Sequence, residues 1–274
     1  ARFDPMNFDA QYFDLGRLDR LSYRRTAVHA LDPRAKVIAT GLFLITVVSF
    51  PKYDVAGLVP FLLFPVLAAA LGEIPVRFIL RKVLIVSPFA VFVGIFNPFL
   101  DTRTVAVVAG LPVSAGWLSF ASILAKFALT VSAALLLVAT TSFPGVCHAL
   151  RRLGCPPIFV SQLLFLYRYL FVLAEEAMRI VRAWDMRAFA GRGRGATVFA
   201  RLVGVLLIRT LDRAERIYQA MLCRGFAGDI PRLGTLRLKS GDLVFVAITA
   251  VFLGACRFFP VTEGIGLLAQ GIWR

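Results

Sequence analysis

Long apolar stretches alternate with basic segments along this chain of 274 residues. Five of the apolar stretches approach or exceed the length of a helix that crosses a bilayer, which takes about 20 residues. They lie at 37–50, 55–71, 83–100, 116–140 and 242–258. The pattern therefore predicts an all-α integral membrane protein with about five transmembrane helices.

Two further long helices are predicted over 158–184 and 197–223, each apolar at its beginning and charged toward its end. In each, apolar residues recur at intervals of three and four, as on one face of an amphipathic helix. The stripes are Leu163, Tyr167, Leu170, Ala174, Ala177, Val181 and Trp184 in the first helix, and Leu207, Leu211, Ala214, Tyr218 and Met221 in the second. We expect the stripes to pack together or against the membrane helices. The glycine- and arginine-rich segment 191–195 separates the helices, because glycine is costly inside a helix.

Composition agrees with a membrane protein. Hydrophobic residues make up 59% of the chain and charged residues 17%, with a mean hydropathy of +0.78. Soluble proteins have about 25% charged residues. The net charge of +15 would suggest nucleic-acid binding in a soluble chain. In a membrane chain it instead indicates lysine and arginine gathered on the cytoplasmic side.

The distribution of basic residues predicts the orientation. Seven precede the first predicted span, three lie in 73–82, and sixteen lie between Arg151 and Lys239. The opposite side carries Lys52, Arg103, Arg257 and Arg274. The positive-inside rule therefore predicts a cytoplasmic N-terminus, in the cytoplasmic (inner) membrane of a bacterium, and a C-terminus outside.

Four parts follow from this organisation: an N-terminal cytoplasmic or interfacial segment (1–36), a four-helix membrane region (37–142), a cytoplasmic region with two long coupling helices (143–240), and a C-terminal membrane helix with its tail (241–274). Short interfacial helices are expected in 1–36 and at an elbow over 73–82. Segment 101–115 is predicted to be a loop. Asp32 can cap the helix that follows, and Pro33 suits its first turn.

Few residues are candidates for a catalytic or metal-binding site. Lys126 lies inside a predicted span, where a charge is often functional. The alternative is that it snorkels or pairs with a carboxylate of a neighbouring helix. Cys147 and His148 are adjacent, but nothing nearby completes a metal site. The chain has neither a phosphate-binding Gly-rich loop nor a catalytic constellation. We therefore expect no catalytic residues, no metal ligands and no cofactor on this chain.

Two short arginine motifs end the long helices. The first is Met186-Arg187-Ala188 and the second is Cys223-Arg224-Gly225. A small neighbour lets a partner surface come close, and a guanidinium can bind several acceptors at once. The alternative is that these arginines neutralise the C-terminal carbonyls of their helices. The residues alone leave both interpretations open.

These motifs resemble the two Ala-Arg-Gly-type motifs of the transmembrane T component of energy-coupling factor (ECF) transporters. The stretches 163–170, 209–216 and 218–226, with the segment 31–36, are similar to the cobalt-uptake branch, CbiQ. The resemblance extends from about Leu31 to Phe258 and is most specific between 163 and 226. Neither motif is a literal Ala-Arg-Gly, since they read Met-Arg-Ala and Cys-Arg-Gly.

The resemblance implies a function. Such a subunit transmits the movement of two cytoplasmic ATPase subunits to a separate substrate-binding membrane subunit, in an importer for cobalt or a related divalent metal. It implies that the ATPase-coupling interface comprises Met186, Arg187, Ala188, Cys223, Arg224 and Gly225. The metal would bind on the other membrane subunit, and this chain would not hydrolyse ATP.

Two other functions are weighed against this one. A self-contained secondary transporter or channel would need ionisable or broken-helix sites at mid-membrane, for which Lys126 and the Asn97–Pro98 break are the candidates. A nucleic-acid or lipid binder would use the basic block 192–239. That block interleaves acidic residues and lacks stacking aromatics, so we expect no nucleic-acid partner.

Overall fold

The computed structural model describes residues 22, 24, 26, 28–52, 54–100, 104–108, 111–187, 196–228 and 238–258. These residues fall into two compact units. One, here called the bundle unit, contains the described residues between Asp19 and Ser142 and between Leu236 and Arg274. The other, here called the paired-helix unit, lies between Phe143 and Thr235. The glycine- and arginine-rich segment 191–195, most of the segment 1–36 and the C-terminal tail lie outside the described residues.

The secondary structure is dominated by helices, as predicted. In the bundle unit they are α1 (Pro33–Val48), a 3-10 helix (Ala56–Leu62) that continues into α2 (Leu63–Leu71), α3 (Val76–Gly94), the single turn α4 (Asn97–Leu100), α5 (Ala115–Thr140) and α9 (Ser240–Phe258). The paired-helix unit contains α6 (Phe143–Arg152), α7 (Pro157–Arg187) and α8 (Ala196–Leu222). The all-α membrane fold class is confirmed.

The start of α1 follows the capping rule that its sequence predicts. Asp32 has an extended backbone, and its Oδ1 accepts a hydrogen bond from the backbone N–H of Arg34 at 2.9 Å. Pro33 occupies the first helical position, where a missing N–H costs nothing. The helix therefore begins at the predicted residue.

Contacts at the helix ends show how three helices of the bundle unit run relative to one another. The beginning of α1 is hydrogen-bonded to the first turn of α9 through Asp32 and Asp242. At the other end, Arg257 of α9 lies over the ring of Phe50, which follows α1, at 5.0 Å from the ring centroid. The α1 and α9 helices are therefore parallel. The α5 helix is antiparallel to both, because its end at Thr140 meets the beginning of α1 while Lys126 meets Phe50.

The core of the bundle unit lies where these helices meet the 3-10 helix. Phe43 and Phe61 are fully buried and their ring centroids are 6.2 Å apart. Phe64 stacks on Phe43 at 4.5 Å, and Phe50 meets Phe61 edge to face at 5.4 Å. Leu129, from α5, belongs to the same buried cluster. Aromatic rings with this geometry stabilise the contact beyond their buried area.

The predicted elbow and third span form one helix. The structure has a continuous α3 from Val76 to Gly94, so the boundary expected at 82/83 is wrong. Pro88 lies inside α3 and cannot donate to the carbonyl of Leu84, but the hydroxyl of Ser87 donates to that oxygen at 2.8 Å. The local replacement explains why the proline does not end the helix.

The predicted loop 101–115 contains an unexpected β-hairpin. Strand β1 (Thr104–Val108) pairs with β2 (Leu111–Ser114) in an antiparallel ladder. Four of the five residues of β1 are β-branched, which favours a strand, so the prediction of a loop throughout this segment is wrong. The hairpin leads directly into α5.

Three described helices are long and apolar enough to cross a membrane: α5, α7 and α9. The first and last correspond to the predicted spans 116–140 and 242–258. The α1 helix has 16 residues, and α3 contains Arg77, Arg81 and Lys82. By the same criteria of length and composition, α7 is also a candidate membrane span, although its sequence predicted a cytoplasmic helix.

Candidate functional site

The candidate site is built on the α7–α8 pair of the paired-helix unit. Glu176 of α7 joins the two helices, because its carboxylate binds Arg209 at 3.1 Å and Arg213 at 3.8 Å, both on α8. The Glu176 side chain is mostly buried while both arginines are substantially exposed. This ion pair between helices was not predicted, because sequence periodicity indicates neighbours on one helix and not across two.

An apolar groove of about 490 Å³ runs along the pair. From α8 it is lined by Leu211, Ala214, Tyr218 and Met221, which confirms the predicted stripe except for Leu207. These side chains therefore form one continuous face toward α7.

The face of α7 that lines the groove differs from the predicted stripe. It contains Phe165, Tyr169 and Leu173, whereas the prediction was Leu163, Tyr167 and Leu170 with their repeats. Tyr167 instead stacks on Phe143 of α6, with ring centroids 4.8 Å apart. The first half of α7 is apolar on more than one face, so periodicity could not select the partner of each face.

The second arginine motif coincides with a complete helix C-cap. Gly225 has φ +77°, and its N–H donates to the carbonyl of Leu222 at 3.0 Å. The N–H of Phe226 donates to the carbonyl of Met221 at 3.0 Å. This is the Schellman arrangement, with glycine in the left-handed position that other residues adopt at a cost. Arg224 is the last residue before that turn.

The chain after the motif returns to α7. The Phe226 ring meets the Phe165 ring at 6.2 Å. Two residues later, the carbonyl of Gly228 accepts a hydrogen bond from the hydroxyl of Ser161 at 3.1 Å. The position of the second motif relative to α7 is therefore fixed by two contacts of the residues that follow it.

Both motif arginines are exposed at helix ends. Arg187 is the last residue of α7, and the neighbouring Met186 is 74% exposed. Arg224 and Cys223 are also exposed. Among the described residues, the structure shows no ion pair or hydrogen bond for either guanidinium. Ala188 lies outside the described residues.

Lys126 has a role that the sequence analysis did not consider. Its Nζ donates a hydrogen bond to the carbonyl of Phe50 at 2.6 Å, just beyond the end of α1. Among the described residues its partner is this backbone carbonyl and not a carboxylate, so the structure does not show the carboxylate pair that was one of the alternatives. The lysine thereby holds α5 against α1.

Two residues of the bundle unit were missed as important positions. Asp242, in the first turn of α9, is buried and accepts the backbone N–H groups of Asp32 and Lys239, each at 2.8 Å. Lys36 is buried and donates to the carbonyl of Thr140 at 2.9 Å. The signal for Asp242 was its position three residues after Lys239, the spacing of a capping box.

The cysteines differ in environment. Cys147 of α6 is buried, and burial raises the pKa of its thiol to about 11. Cys223 is exposed, and all four cysteines are free thiols. In the part of the chain that the structure describes, no group of three or more His, Cys, Asp and Glu side chains could hold a metal ion.

Comparison with known proteins identifies the family. Residues 24–234 match the family CbiQ, described as cobalt transport protein. The chain is similar to an energy-coupling factor transporter transmembrane protein EcfT of Ruminiclostridium cellulolyticum, with 27% identity over 82% of this chain and 90% of the relative. A second EcfT, from Heliobacterium modesticaldum, is 29% identical over 84% and 92%. A cobalt transport protein CbiQ of Rhodobacter capsulatus is 34% identical over 36% and 41%. The chain therefore belongs to the CbiQ family of membrane transport proteins.

Proposed function

We propose that this chain is the energy-coupling transmembrane subunit of an ECF-type, ATP-driven importer for cobalt or a related divalent metal. Its partners are two cytoplasmic ATPase subunits and a separate substrate-binding membrane subunit that holds the metal. The chain itself hydrolyses no ATP, because its sequence contains no phosphate-binding loop. The residues of this chain transmit the movement of the ATPase subunits to the substrate-binding subunit.

The observation that carries this proposal is the pair of exposed guanidinium groups at the ends of α7 and α8. Arg187 ends α7 and Arg224 follows α8, and both side chains face solvent in the described structure. A guanidinium presents five N–H donors in a planar fork. Two such groups, one at each helix end, suit attachment to two copies of an ATPase subunit.

The geometry around Arg224 favours a docking role over helix capping. The terminal carbonyls of Met221 and Leu222 already accept the N–H groups of Phe226 and Gly225. The arginine is therefore not required to satisfy them, although it still benefits from the helix dipole. Its donors remain available to a partner.

The two helices are long enough to transmit a movement from one end to the other. The α7 helix has 31 residues and α8 has 27. At 1.5 Å per residue they are about 46 and 40 Å long. Glu176 and the apolar faces hold them together, so a displacement at the arginine ends moves the pair as one body.

The basic residues support a cytoplasmic position for the arginine ends. Between Arg151 and Lys239 the chain carries sixteen basic and six acidic residues. By the positive-inside rule this segment and the N-terminus face the cytoplasm of a bacterial cell. ATPase subunits acting from that side can reach both motifs.

Lys126 is one of the two features on which the alternative of a self-contained transporter rests. Lys126 is engaged with the carbonyl of Phe50, and so has a structural partner at the end of α1. Among the residues that the structure describes, no contact of Lys126 indicates a role in moving an ion.

Reconstitution in proteoliposomes tests the proposal. The chain alone, and the complex that co-purifies with it, are given radiolabelled Co²⁺ with and without ATP. We expect ATP-dependent uptake by the complex and none by the chain alone. Cobalt uptake by the chain alone, without ATP, would contradict the proposal and favour the secondary transporter.

A further inference from the structure

A buried polar cluster in the bundle unit joins the beginning of α1 to the end of α5. Lys36 is only 5% exposed. Its Nζ donates to the carbonyl of Thr140, the last residue of α5, at 2.9 Å and lies 3.4 Å from the carbonyl oxygen of His29. A hydrogen bond from a charged donor is stronger than a neutral one. Lys36 therefore fixes the end of α5 to the first turn of α1.

The second half of the cluster is the carboxylate of Asp242, which is 3% exposed. Its Oδ1 accepts the N–H of Asp32 and its Oδ2 accepts the N–H of Lys239, each at 2.8 Å. Asp32 immediately precedes α1 and Lys239 immediately precedes α9. In a capping box, an acidic side chain accepts the backbone N–H of the residue that precedes its helix. Here one carboxylate accepts that N–H at the beginnings of two helices, α1 and α9.

Both connections between the two compact units lie beside this cluster in the sequence. Thr140 is three residues before Phe143, where the paired-helix unit begins. Lys239 follows Thr235, where that unit ends in the sequence, by four residues, and the structure describes the unit as far as Gly228. The three residues from Thr140 to Phe143 extend over at most about 11 Å. The described connection from α5 to the paired-helix unit is therefore short, and it starts at a residue that the cluster holds.

Stability alone is a weak explanation for buried charges at this position. Apolar residues of similar volume often stabilise a protein as well as a buried charged pair does. A buried polar network instead imposes one arrangement, because its hydrogen bonds are satisfied only there. A fixed arrangement is what a helix end needs when force arrives through a short connection.

We propose that Lys36 and Asp242 are positioning residues for energy coupling. They hold the end of α5 and the beginning of α9, so that movement of the paired-helix unit displaces these helices instead of fraying their ends. The inference rests on the proposed function, in which that unit is driven by ATPases. It adds the place in the bundle unit where the movement is received.

The first arm of the test uses the chain alone. Lys36→Met and Asp242→Asn are compared with wild type by amide hydrogen exchange at 141–143 and 238–240. The matched control is Lys126→Met, since Lys126 also donates to a backbone carbonyl between α1 and α5, but its acceptor is Phe50, just beyond the other end of α1. We expect faster exchange at both segments in the two cluster variants and wild-type exchange in the control.

The second arm uses the complex that co-purifies with the chain, and measures Co²⁺ taken up per ATP hydrolysed. Changes within a coupling network alter coupling by about two- to thirtyfold, and we expect a loss in that range for Lys36→Met and Asp242→Asn with assembly retained. The Lys126→Met complex gives the ratio expected from destabilisation alone.

The outcomes separate the two proposals. If the wild-type complex takes up no Co²⁺ with ATP, the proposed function fails, while the exchange arm still tests the cluster. If wild type is active but the cluster variants keep its ratio, or lose no more than a control of equal thermal stability, the positioning role is contradicted. It is equally contradicted if both cluster variants fail to insert where Lys126→Met inserts, because the cluster then acts in folding.

Discussion

The carboxylate of Asp242 accepts the backbone N–H of Asp32 at 2.8 Å, across 210 positions of sequence. Its other oxygen accepts the N–H of Lys239. The two parallel helices α1 and α9 therefore begin at one shared acceptor. This contact lies in the bundle unit, and Asp242 is in the first turn of α9, the next described helix after α8.

Asp242→Ala is expected to destabilise the bundle unit. It leaves the N–H groups of Asp32 and Lys239 without their acceptor in a buried place, at about 1–3 kcal/mol each. The measurement is the midpoint of thermal unfolding of the purified chain in detergent. The control is Asp54→Ala, because Asp54 also accepts a backbone N–H, from Gly57 at 2.8 Å, but is exposed. A shift no larger than that of the control would contradict the account of Asp242.

Gly225→Ala is expected to weaken both the end of α8 and partner binding. Its φ of +77° costs about 1–2 kcal/mol for a residue with a side chain. The strain is relieved by moving Arg224 or Phe226 from its observed position. The measurements are thermal unfolding and the amount of ATPase that co-purifies.

The matched control for that variant is Gly204→Ala on the same helix. Gly204 is helical, and a methyl group there meets no other atom within 4 Å. Alanine in that place stabilises a helix by up to about 1 kcal/mol. Equal effects of the two substitutions would show that the left-handed turn at Gly225 has no special importance.

Thiol chemistry offers a test without substitution. The pKa of about 11 keeps the Cys147 thiol protonated, so at pH 8 about one molecule in a thousand carries the reactive thiolate there. As pH rises toward 11, that fraction and the reaction rate increase about tenfold per unit. The exposed Cys223 is expected to react first with a bulky maleimide at pH 7 to 8.

Such an adduct adjoins Arg224 and is expected to block ATPase binding. Labelling is followed by peptide mass spectrometry and binding by co-purification. The Cys223→Ser variant is the control, because it removes this adduct and should keep its partner during the same treatment. Full ATPase binding by wild type with Cys223 labelled would contradict the proposed interface.

Sequence reasoning works where a local pattern determines the structure. The cap at Asp32, the first turn at Pro33 and the apolar face of α8 all depend on residues close together in the chain, and each is confirmed. The family resemblance is confirmed as well, over residues 24–234. The role of the six motif residues stays a prediction.

The features that sequence reasoning missed depend on distant residues. Nothing local pairs Lys126 with Phe50, or Asp242 with Asp32, since helix periodicity does not say which helices become neighbours. The boundary inside α3 was misplaced because three basic residues resemble the end of a span, whereas an unbroken hydrogen-bonded helix tolerates them. The groove face of α7 was missed because two faces of that helix are apolar.

The most direct test of the central claim is whether the ATPase subunits bind through the two helix ends. The Arg187→Ala/Arg224→Ala double variant is compared with Arg168→Ala/Arg201→Ala. The second variant removes the same charge from exposed positions in the first halves of the same two helices. Both are purified from membranes, and the co-purifying ATPase is quantified. The account predicts that the first loses the ATPase while the second retains it, with both inserted normally. Equal ATPase retention by the two variants would contradict it.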